Sequence, residues 1–441
     1  MHKGEHVIKY GFPIGEAKTD IPQGSHVHVH NLRTLLSGEL EYQYHPRGKP
    51  LADRPAATFA GYPRRDGHAG VRNEMWILPT VGCVNDVARA LERRAQALVG
   101  GGVEGVCAFP HPYGCSQMGE DQENTRRLLA DPATHPNAGG LLLLGLGCEN
   151  SGVDQIRPYM DEYDPDRVRF LVCQQVEDEV AEAMRLLEEL ATHMRRETRV
   201  PCLSSKLVVG LKCGGSDGFS GITANPVIGG FSDLLIAQGG STILTEVPEM
   251  FGAETILMDR CENEEMFRKT VDLINGFKRY FEEHHQTIYE NPSPGNKAGG
   301  DQHSGGQSPG LYAEKRFCAR QGRAGLWTES QNRRSQPPFR ARQRSGGLHG
   351  AGRRGRADRA VFDGTRPSPV PTVKIASNSH LASHKHGWID FNAGELLDGK
   401  GLGELSKDLM DYVLAVAGGR KVCGERNGYH DTAIFKTGVT L

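Results

Sequence analysis

The sequence predicts an α/β protein in which a small N-terminal β module precedes two α/β domains. The chain has 441 residues, which is the usual size of two or three domains. Between residues 76 and 254, short apolar runs alternate with longer amphipathic stretches, a pattern typical of parallel sheets covered by helices. Because 37% of the residues are hydrophobic and 24% are charged, the composition is that of a globular chain rather than a disordered or fibrous one.

Charge and hydropathy exclude several classes of protein. A formal net charge of -2 argues against a globally basic nucleic-acid binder. The longest apolar run, 140–147, is too short to span a bilayer, and the N-terminus lacks the order of a signal peptide. We therefore predict a cytoplasmic protein with neither membrane nor nucleic-acid partner. Its 10 cysteines are then better interpreted as reduced thiols than as a disulfide framework.

The elements follow in chain order. Residues 1–38 alternate β-branched residues with turn signals and predict the β module, and the polar, Pro-rich residues 39–72 predict a linker. Residues 73–200 predict the central α/β domain, and 201–441 the C-terminal one, interrupted by 301–367. Buried strands are predicted at Met75–Leu78, Leu141–Leu146, Phe170–Val172, Leu207–Leu211 and Thr242–Leu244. Apolar residues at helical spacing predict helices at 176–194, 267–281 and 405–416.

Cysteines follow four of the predicted strand ends, where α/β proteins place their chemistry. These cysteines are Cys83, Cys148, Cys173 and Cys213. The runs 148–150 and 213–217 are the stronger signals, because a thiol, a carboxylate and small residues cluster there. For any single cysteine, a buried inert thiol remains the commoner case.

Histidines provide two further candidate sites. His26, His28 and His30 alternate, so in an extended segment they share one face and can hold a metal, line a pocket, or form an exposed strand. His111 lies four residues before Cys115 in a predicted turn, where a structural histidine is the usual finding.

Two more polar loops are further candidates. Loop 245–249 carries two carboxylates and loop 291–297 carries a lysine. Such groups suit proton abstraction next to a carboxylate, although solvated Pro-rich turns have the same composition. The sequence contains neither a Walker loop nor a Gly-x-Gly-x-x-Gly fingerprint, so a nucleotide cofactor is unsupported.

Taken together, these runs resemble the altronate dehydratase family, whose relatives include galactarate dehydratase and a sulfolactate sulfo-lyase. The resemblance covers nearly the whole chain except 301–367. Its residues are Val7–Gly15, His26–Asn31, Trp76–Asn85, the runs around His111 and Cys148, Cys213–Pro226, Leu244–Gly252, Asn291–Gly300, Trp388–Phe391 and Ile434–Lys436.

The resemblance implies a hydro-lyase of hexuronate breakdown that converts D-altronate to 2-dehydro-3-deoxy-D-gluconate, with Fe(II) or Mn(II) as cofactor. It also implies a SAF-type β-clip module at the N-terminus and a possible homo-oligomer. The implied acid-base candidates are His111, Glu149 and Asp217. The implied metal ligands are His28, His30, Cys115, Cys148 and Cys213, and three such thiols could instead hold an iron-sulfur cluster. The implied substrate contacts are His28, Ser216, Asn225, Glu246, Asn296 and Lys297.

The chain departs from this family in two places. The family's first module is longer, so the start at Met1 is expected to be truncated or assigned late. Residues 301–367 are Arg-rich and do not match the family. Codons can be chosen for these residues so that moving the reading frame forward by one base changes the translation of 338–345 to Leu-Ser-Ala-Pro-Gly-Asn-Asp, a family motif. The same one-base shift also yields family motifs at 301–306 and 361–366. The interval is therefore predicted to be frame-shifted, non-native and disordered.

These departures leave alternative functions open. With the frame-shifted interval, the chain as written is expected to have little or no dehydratase activity. The alternatives are a galactarate or sulfolactate lyase of the same family and an inactive carbohydrate-binding relative. A nucleic-acid binder that uses the Arg-rich interval is disfavoured, because its arginines lack interleaved aromatic residues.

Overall fold

The structure is a computed structural model that describes most of the chain. The described residues are 1–9, 12–27, 30–33, 39–46, 51–212, 219–245, 247–252, 254–286, 324–325, 358–362, 370–429 and 434. Within these ranges, no helix is both long enough and apolar enough to cross a membrane.

The N-terminal residues form a small antiparallel sheet, as predicted. Strand β1 (His6–Lys9) pairs with β2 (Phe12–Ala17), which pairs in turn with β3 (Leu32–Arg33). Val7, Ala17 and Leu32 are buried, so this β module has its own small apolar interior.

The first parallel sheet has the strand order β7-β6-β8-β9. Its strands are β6 (Glu74–Pro79), β7 (Gly105–Ala108), β8 (Ala138–Gly145) and β9 (Val168–Val172). All of its strand pairs are parallel, so the carboxyl ends of the strands meet at one edge. The predictions of β6, β8 and β9 are confirmed, whereas β7 was not predicted.

Helices cover both faces of this first sheet. The helices are α1 (Asn85–Ala95), α2 (Gly119–Ala130), α3 (Val153–Ile156) and α4 (Glu179–Met194). Leu142 packs with residues of α1 and α4, whereas its neighbour Leu143 packs with residues of α2 and α3. Because successive strand side chains point to opposite faces, the leucine run of β8 fills both cores.

The second parallel sheet has the order β13-β12-β11-β14. Its strands are β11 (Leu207–Leu211), β12 (Ser241–Leu244), β13 (Ala324–Gly325) and β14 (Asp358–Phe362). The last two lie inside 301–367, and the prediction of disorder is wrong at these seven residues because each pairs with a neighbouring strand. The remainder of the interval lies outside the described residues.

Helices and short strands complete the C-terminal part. They are α5 (Ala224–Ala237), α6 (Glu254–Met258), α7 (Glu264–Glu283), β15 (Ile375–Ala376), α8 (Ser379–His384), β16 (Phe391–Asn392), α9 (Leu402–Ala417) and α10 (Cys423–Arg426). Residues of α5, α7 and α9 share one hydrophobic cluster with β11. The helices predicted at 267–281 and 405–416 are thereby confirmed.

The predicted linker is partly structured. Within it, β4 (Thr58–Pro63) and β5 (Ala69–Gly70) form a small antiparallel sheet with β10 (Val200–Leu203). Phe59 and Tyr62 of β4 are buried, which explains why this stretch is a strand. The linker prediction is wrong for these residues.

An ion pair joins the N-terminal end of the first sheet to the C-terminal helices. The guanidinium of Arg72 donates from Nε to Glu425 Oε1 at 2.6 Å and from Nη2 to Glu425 Oε2 at 2.8 Å. It also donates to the carbonyls of Val416 and Arg420. The Arg72 side chain is only 1% exposed, so this pair links the two α/β regions through buried contacts.

Candidate functional site

The candidate site lies at the carboxyl edge of the first sheet. Three loops meet there: 80–84 after β6, 109–118 after β7 and 146–152 after β8. Their strands are adjacent in the sheet, and the edge beyond parallel strand ends is where ligands usually bind.

Glu149 joins two of these loops. Its carboxylate accepts hydrogen bonds from Thr80 Oγ1 at 2.6 Å, from the Gly147 amide at 2.6 Å and from the Leu146 amide at 3.1 Å. Burial acts to raise the pKa of Glu149, but these hydrogen bonds outweigh it and lower the pKa. Glu149 is therefore ionised at neutral pH and positions the loop after β8 against the end of β6. Its predicted acid-base role stays a prediction.

His111 is engaged on both sides of its ring. Nε2 donates to the carbonyl of Pro79 at 2.7 Å, and Nδ1 accepts from the amide of Tyr113 at 3.3 Å. Burial lowers the pKa of His111, opposed by the bond to Pro79, so the ring is neutral at pH 7. The predicted acid-base role of His111 requires one of these two bonds to open.

Exposed cysteines occupy all three loops. Cys83, Cys115 and Cys148 are exposed, whereas Cys107, in strand β7, is buried. The Cys115 thiol lies within hydrogen-bonding reach of the Cys83 thiol and close enough to Cys148 to interact electrostatically. Partial desolvation, then Cys83, Cys148 and Glu149, raise the pKa of Cys115. Sequence reasoning assigned no site role to Cys83, although its place after a predicted strand was visible.

Close backbone packing brings the loops together. Gly114 has φ +117, and a Cβ atom there would lie 2.5 Å from the carbonyl oxygen of Thr80. Gly147 has φ +128, and its Cβ would lie 2.8 Å from Gln174 Oε1. Because L residues rarely adopt these φ angles, glycine is required at both positions.

The other predicted metal ligands are not brought to this edge by any described contact. The ring of His30 lies 6.3 Å from that of His26, centroid to centroid, in the N-terminal module. His28 and Cys213 lie outside the described residues. Among the residues that the structure describes, no group of three His, Cys, Asp or Glu side chains is arranged to hold a metal ion.

Of the predicted substrate contacts, the structure describes Asn225. It is the second residue of α5 and is buried, so it belongs to the C-terminal region rather than to the thiol loops. Ser216, Asp217, Glu246, Asn296 and Lys297 lie outside the described residues.

The fold and this edge together define a class of protein. Two parallel sheets follow a β module, and one sheet carries thiols and a low-pKa carboxylate at its carboxyl edge. This is the arrangement of an α/β enzyme.

Comparison with known families makes the class specific. The SAF domain of altronate/galactarate dehydratases matches residues 1–35, and the second domain of D-galactarate dehydratase/altronate hydrolase matches 61–195. The C-terminal domain of D-galactarate/altronate dehydratases matches 204–313 and 364–440. The chain therefore belongs to the altronate/galactarate dehydratase family and is a carbon-oxygen lyase.

Curated relatives agree with this assignment. The chain is 48% identical to the altronate dehydratase of Escherichia coli (strain K12), covering 100% of this chain and 90% of that protein. It is 46% identical to the altronate dehydratase of Bacillus subtilis (strain 168), with the same coverage. Identity to the galactarate dehydratase (L-threo-forming) of Escherichia coli (strain K12) is 29%, covering 94% of this chain and 83% of that protein.

Proposed function

We propose that the chain eliminates water from D-altronate to give 2-dehydro-3-deoxy-D-gluconate. The observation that carries the proposal is the difference in similarity, since two altronate dehydratases are 48% and 46% identical and a galactarate dehydratase is 29% identical. The substrate is a small sugar acid, and the protein acts in the cytoplasm, where the reduced state of its thiols is maintained. We also propose that the protein forms a homo-oligomer.

The reaction removes the proton alpha to the substrate carboxylate and then expels the neighbouring hydroxyl group. A base must accept the proton and an acid must assist the hydroxyl. In the proposed site, Glu149 and His111 fix the loops on which the thiols lie, and Asp217 is the further acid-base candidate. Ser216, Asn225, Glu246, Asn296, Lys297 and His28 are proposed to bind the sugar acid.

A bound Fe(II) or Mn(II) would stabilise the negative charge that develops on the enediolate. The described candidate ligands are the thiols Cys115 and Cys148, and thiolates favour iron over manganese, which prefers carboxylate and water ligands. His28, His30 and Cys213 complete the proposed set.

The experiment is a substrate panel with purified protein. D-altronate, galactarate and (2R)-sulfolactate are incubated separately, and the dehydrated product, or sulfite for the last substrate, is measured. We expect turnover of altronate to exceed that of the other two. Preferred turnover of galactarate or sulfolactate contradicts the substrate, and tight sugar-acid binding without turnover favours the inactive carbohydrate-binding alternative.

We also propose that much of 301–367 is read in a shifted frame. The Arg-rich composition supports it, as does the family match, which pauses between 313 and 364. Residues 301–313 and 364–367 do match the family model, so the support is confined to 314–363. The test compares altronate turnover by the chain as written with that of a chain whose frame is restored. We expect the restored chain to be faster, and equal rates contradict the proposal, as does gene sequencing that finds no insertion or deletion near 300 and 367.

A further inference from the structure

We propose that Cys83, Cys115 and Cys148 are the three protein ligands of an iron-sulfur cluster at the carboxyl edge of the first sheet. The inference replaces the predicted ligand Cys213 with Cys83, and it places a cluster rather than a single Fe(II) or Mn(II) ion on Cys115 and Cys148. It stands on the placement of three loops and on the exposure of their thiols, and it relies on the proposed function only for the use of the cluster in catalysis.

Hydrogen bonds fix the three thiol-bearing loops to one another. The amide of Gly82 donates to the carbonyl of Tyr113 at 2.9 Å, which ties the Cys83 loop to the Cys115 loop. The side chain of Asn150 donates to the carbonyl of Cys115 at 3.0 Å, which ties the Cys115 loop to the Cys148 loop. The three loops therefore form one unit.

Further bonds anchor this unit to the ends of the strands. The Asn85 side chain donates to the carbonyl of His111 at 2.9 Å and accepts from its amide at 3.2 Å. Glu149 receives its hydrogen bond from Thr80, in the loop that carries Cys83. Ligands held on such a rigid frame need little reorganisation when they bind a metal group.

The exposure of these thiols separates them from the other described cysteines. Cysteine is among the most frequently buried residue types, and Cys107, Cys202, Cys261 and Cys423 follow that rule. Cys83, Cys115 and Cys148 are exposed, although each lies on a loop that hydrogen bonds to its neighbours. Packing does not explain three exposed cysteines from three adjacent strands, whereas ligation does.

The chemistry of the ligands favours a cluster over a single ion. Thiolates are the usual ligands of iron-sulfur clusters, and all three exposed side chains are thiols. A cluster is larger than an ion, so it suits thiols that approach from three separate loops. Cys173, which follows the fourth strand, is half-buried and packs against the core beside α4, so it is not assigned as a ligand.

The test measures the cluster itself. The full chain is purified without oxygen and reconstituted with ferrous iron and sulfide, after which bound iron, acid-labile sulfide and visible absorption are recorded. We expect about four iron and four sulfide atoms per chain. We expect Cys83→Ser, Cys115→Ser and Cys148→Ser each to lose most of this content, while the matched control Cys173→Ser keeps it.

Three results overturn the inference: iron bound without sulfide, full cluster content in Cys83→Ser, or equal loss in Cys173→Ser. A second measurement covers a variant that fails to fold. The unsubstituted protein is alkylated with iodoacetamide before and after reconstitution, and the modified cysteines are identified by mass spectrometry. Selective protection of Cys83, Cys115 and Cys148 is expected, and unchanged labelling of the three contradicts the inference.

The cluster inference and the proposed function can be tested independently of each other. All three loops lie in the family's second domain, outside 301–367, so the cluster is expected in the chain as written even where altronate turnover is low. A cluster without turnover contradicts only the proposed activity, and turnover without a cluster contradicts only this inference.

Discussion

The two parallel sheets differ in where their strands come from. The first takes its four strands from one continuous stretch, 74–172, and its central strand β8 is buried along all 8 residues. The second has β11 and β12 at its centre, flanked by short segments from the interval 301–367. The first sheet is complete without the interval, whereas the second takes two of its four strands from it.

The largest expected effect concerns the link between the two regions. Replacing Arg72 with Met removes the two shortest ionic hydrogen bonds of the Glu425 carboxylate and leaves Lys421, at 3.4 Å, as its cationic partner. Breaking a buried pair costs about 3–5 kcal/mol, and we expect a loss toward the lower end of this range. Urea unfolding measures the loss. Arg89→Met is the control, because Arg89 pairs with the exposed Asp86 and such pairs contribute at most about 1 kcal/mol. Equal losses in the two variants contradict the prediction.

Core truncations test whether the two sheets are separately stable. Leu143 and Leu235 are both 0% exposed, one in each α/β region, and each change to Ala is expected to cost about 2–5 kcal/mol. Calorimetry of the full chain is expected to show Leu143→Ala lowering one transition and Leu235→Ala another. A single transition lowered equally by both substitutions shows instead that the regions unfold as one unit.

Acid is expected to weaken the ion pair between Arg72 and Glu425. Burial opposes ionisation of Glu425, but the hydrogen bonds and charge of Arg72 lower its pKa below 4.5. The stabilisation is therefore complete above the unfolded pKa of about 4.3 and is lost as pH falls through the lower folded value. Unfolding from pH 7 to pH 3 is expected to bring wild type and Arg72→Met closer together. If the difference in unfolding free energy between the two proteins is constant from pH 7 to pH 3, the stability of the ion pair does not depend on protonation of Glu425.

The smallest expected effects are at two helix caps, one in each region. Asp178 accepts hydrogen bonds from the amides of Val180 and Ala181 at the start of α4, and Asn263 accepts from Met266 at the start of α7. Each change to Ala is expected to cost about 1 kcal/mol. Thermal unfolding of both variants measures this, and Asp178→Asn, which retains a capping oxygen, is expected to stay near wild type. Destabilisation of Asp178→Asn equal to that of Asp178→Ala contradicts a capping role.

Local patterns predicted the elements with long apolar runs. Strand β8 was predicted because its leucines are continuous, whereas β7 was missed because its segment, Gly105–Ala108, is short and carries one large aliphatic residue. Strand β4 was missed because its stability comes from pairing with β10, which lies more than a hundred residues away. Periodicity reports burial along one segment, and it carries no information on distant partners.

The same limit applies to the site. Cys83 and Cys148 were recognised at strand ends, but their meeting with Cys115 depends on β7 lying beside β6. Glu149 was identified as a candidate, but its three donors became visible only once the strand ends were adjacent. The predicted residues 213–218 stay predictions, since they lie outside the described part of the chain.

The contacts of Arg72 also set an order of events during synthesis. Its carboxylate partner is 353 residues further along the chain, so the first sheet emerges from the ribosome long before this guanidinium can be paired. A chain that terminates within the Arg-rich interval never supplies Val416, Arg420 or Glu425. In such a truncated product the Arg72 guanidinium has lost its carboxylate partner and two of its carbonyl acceptors, so its first sheet is expected to be less stable.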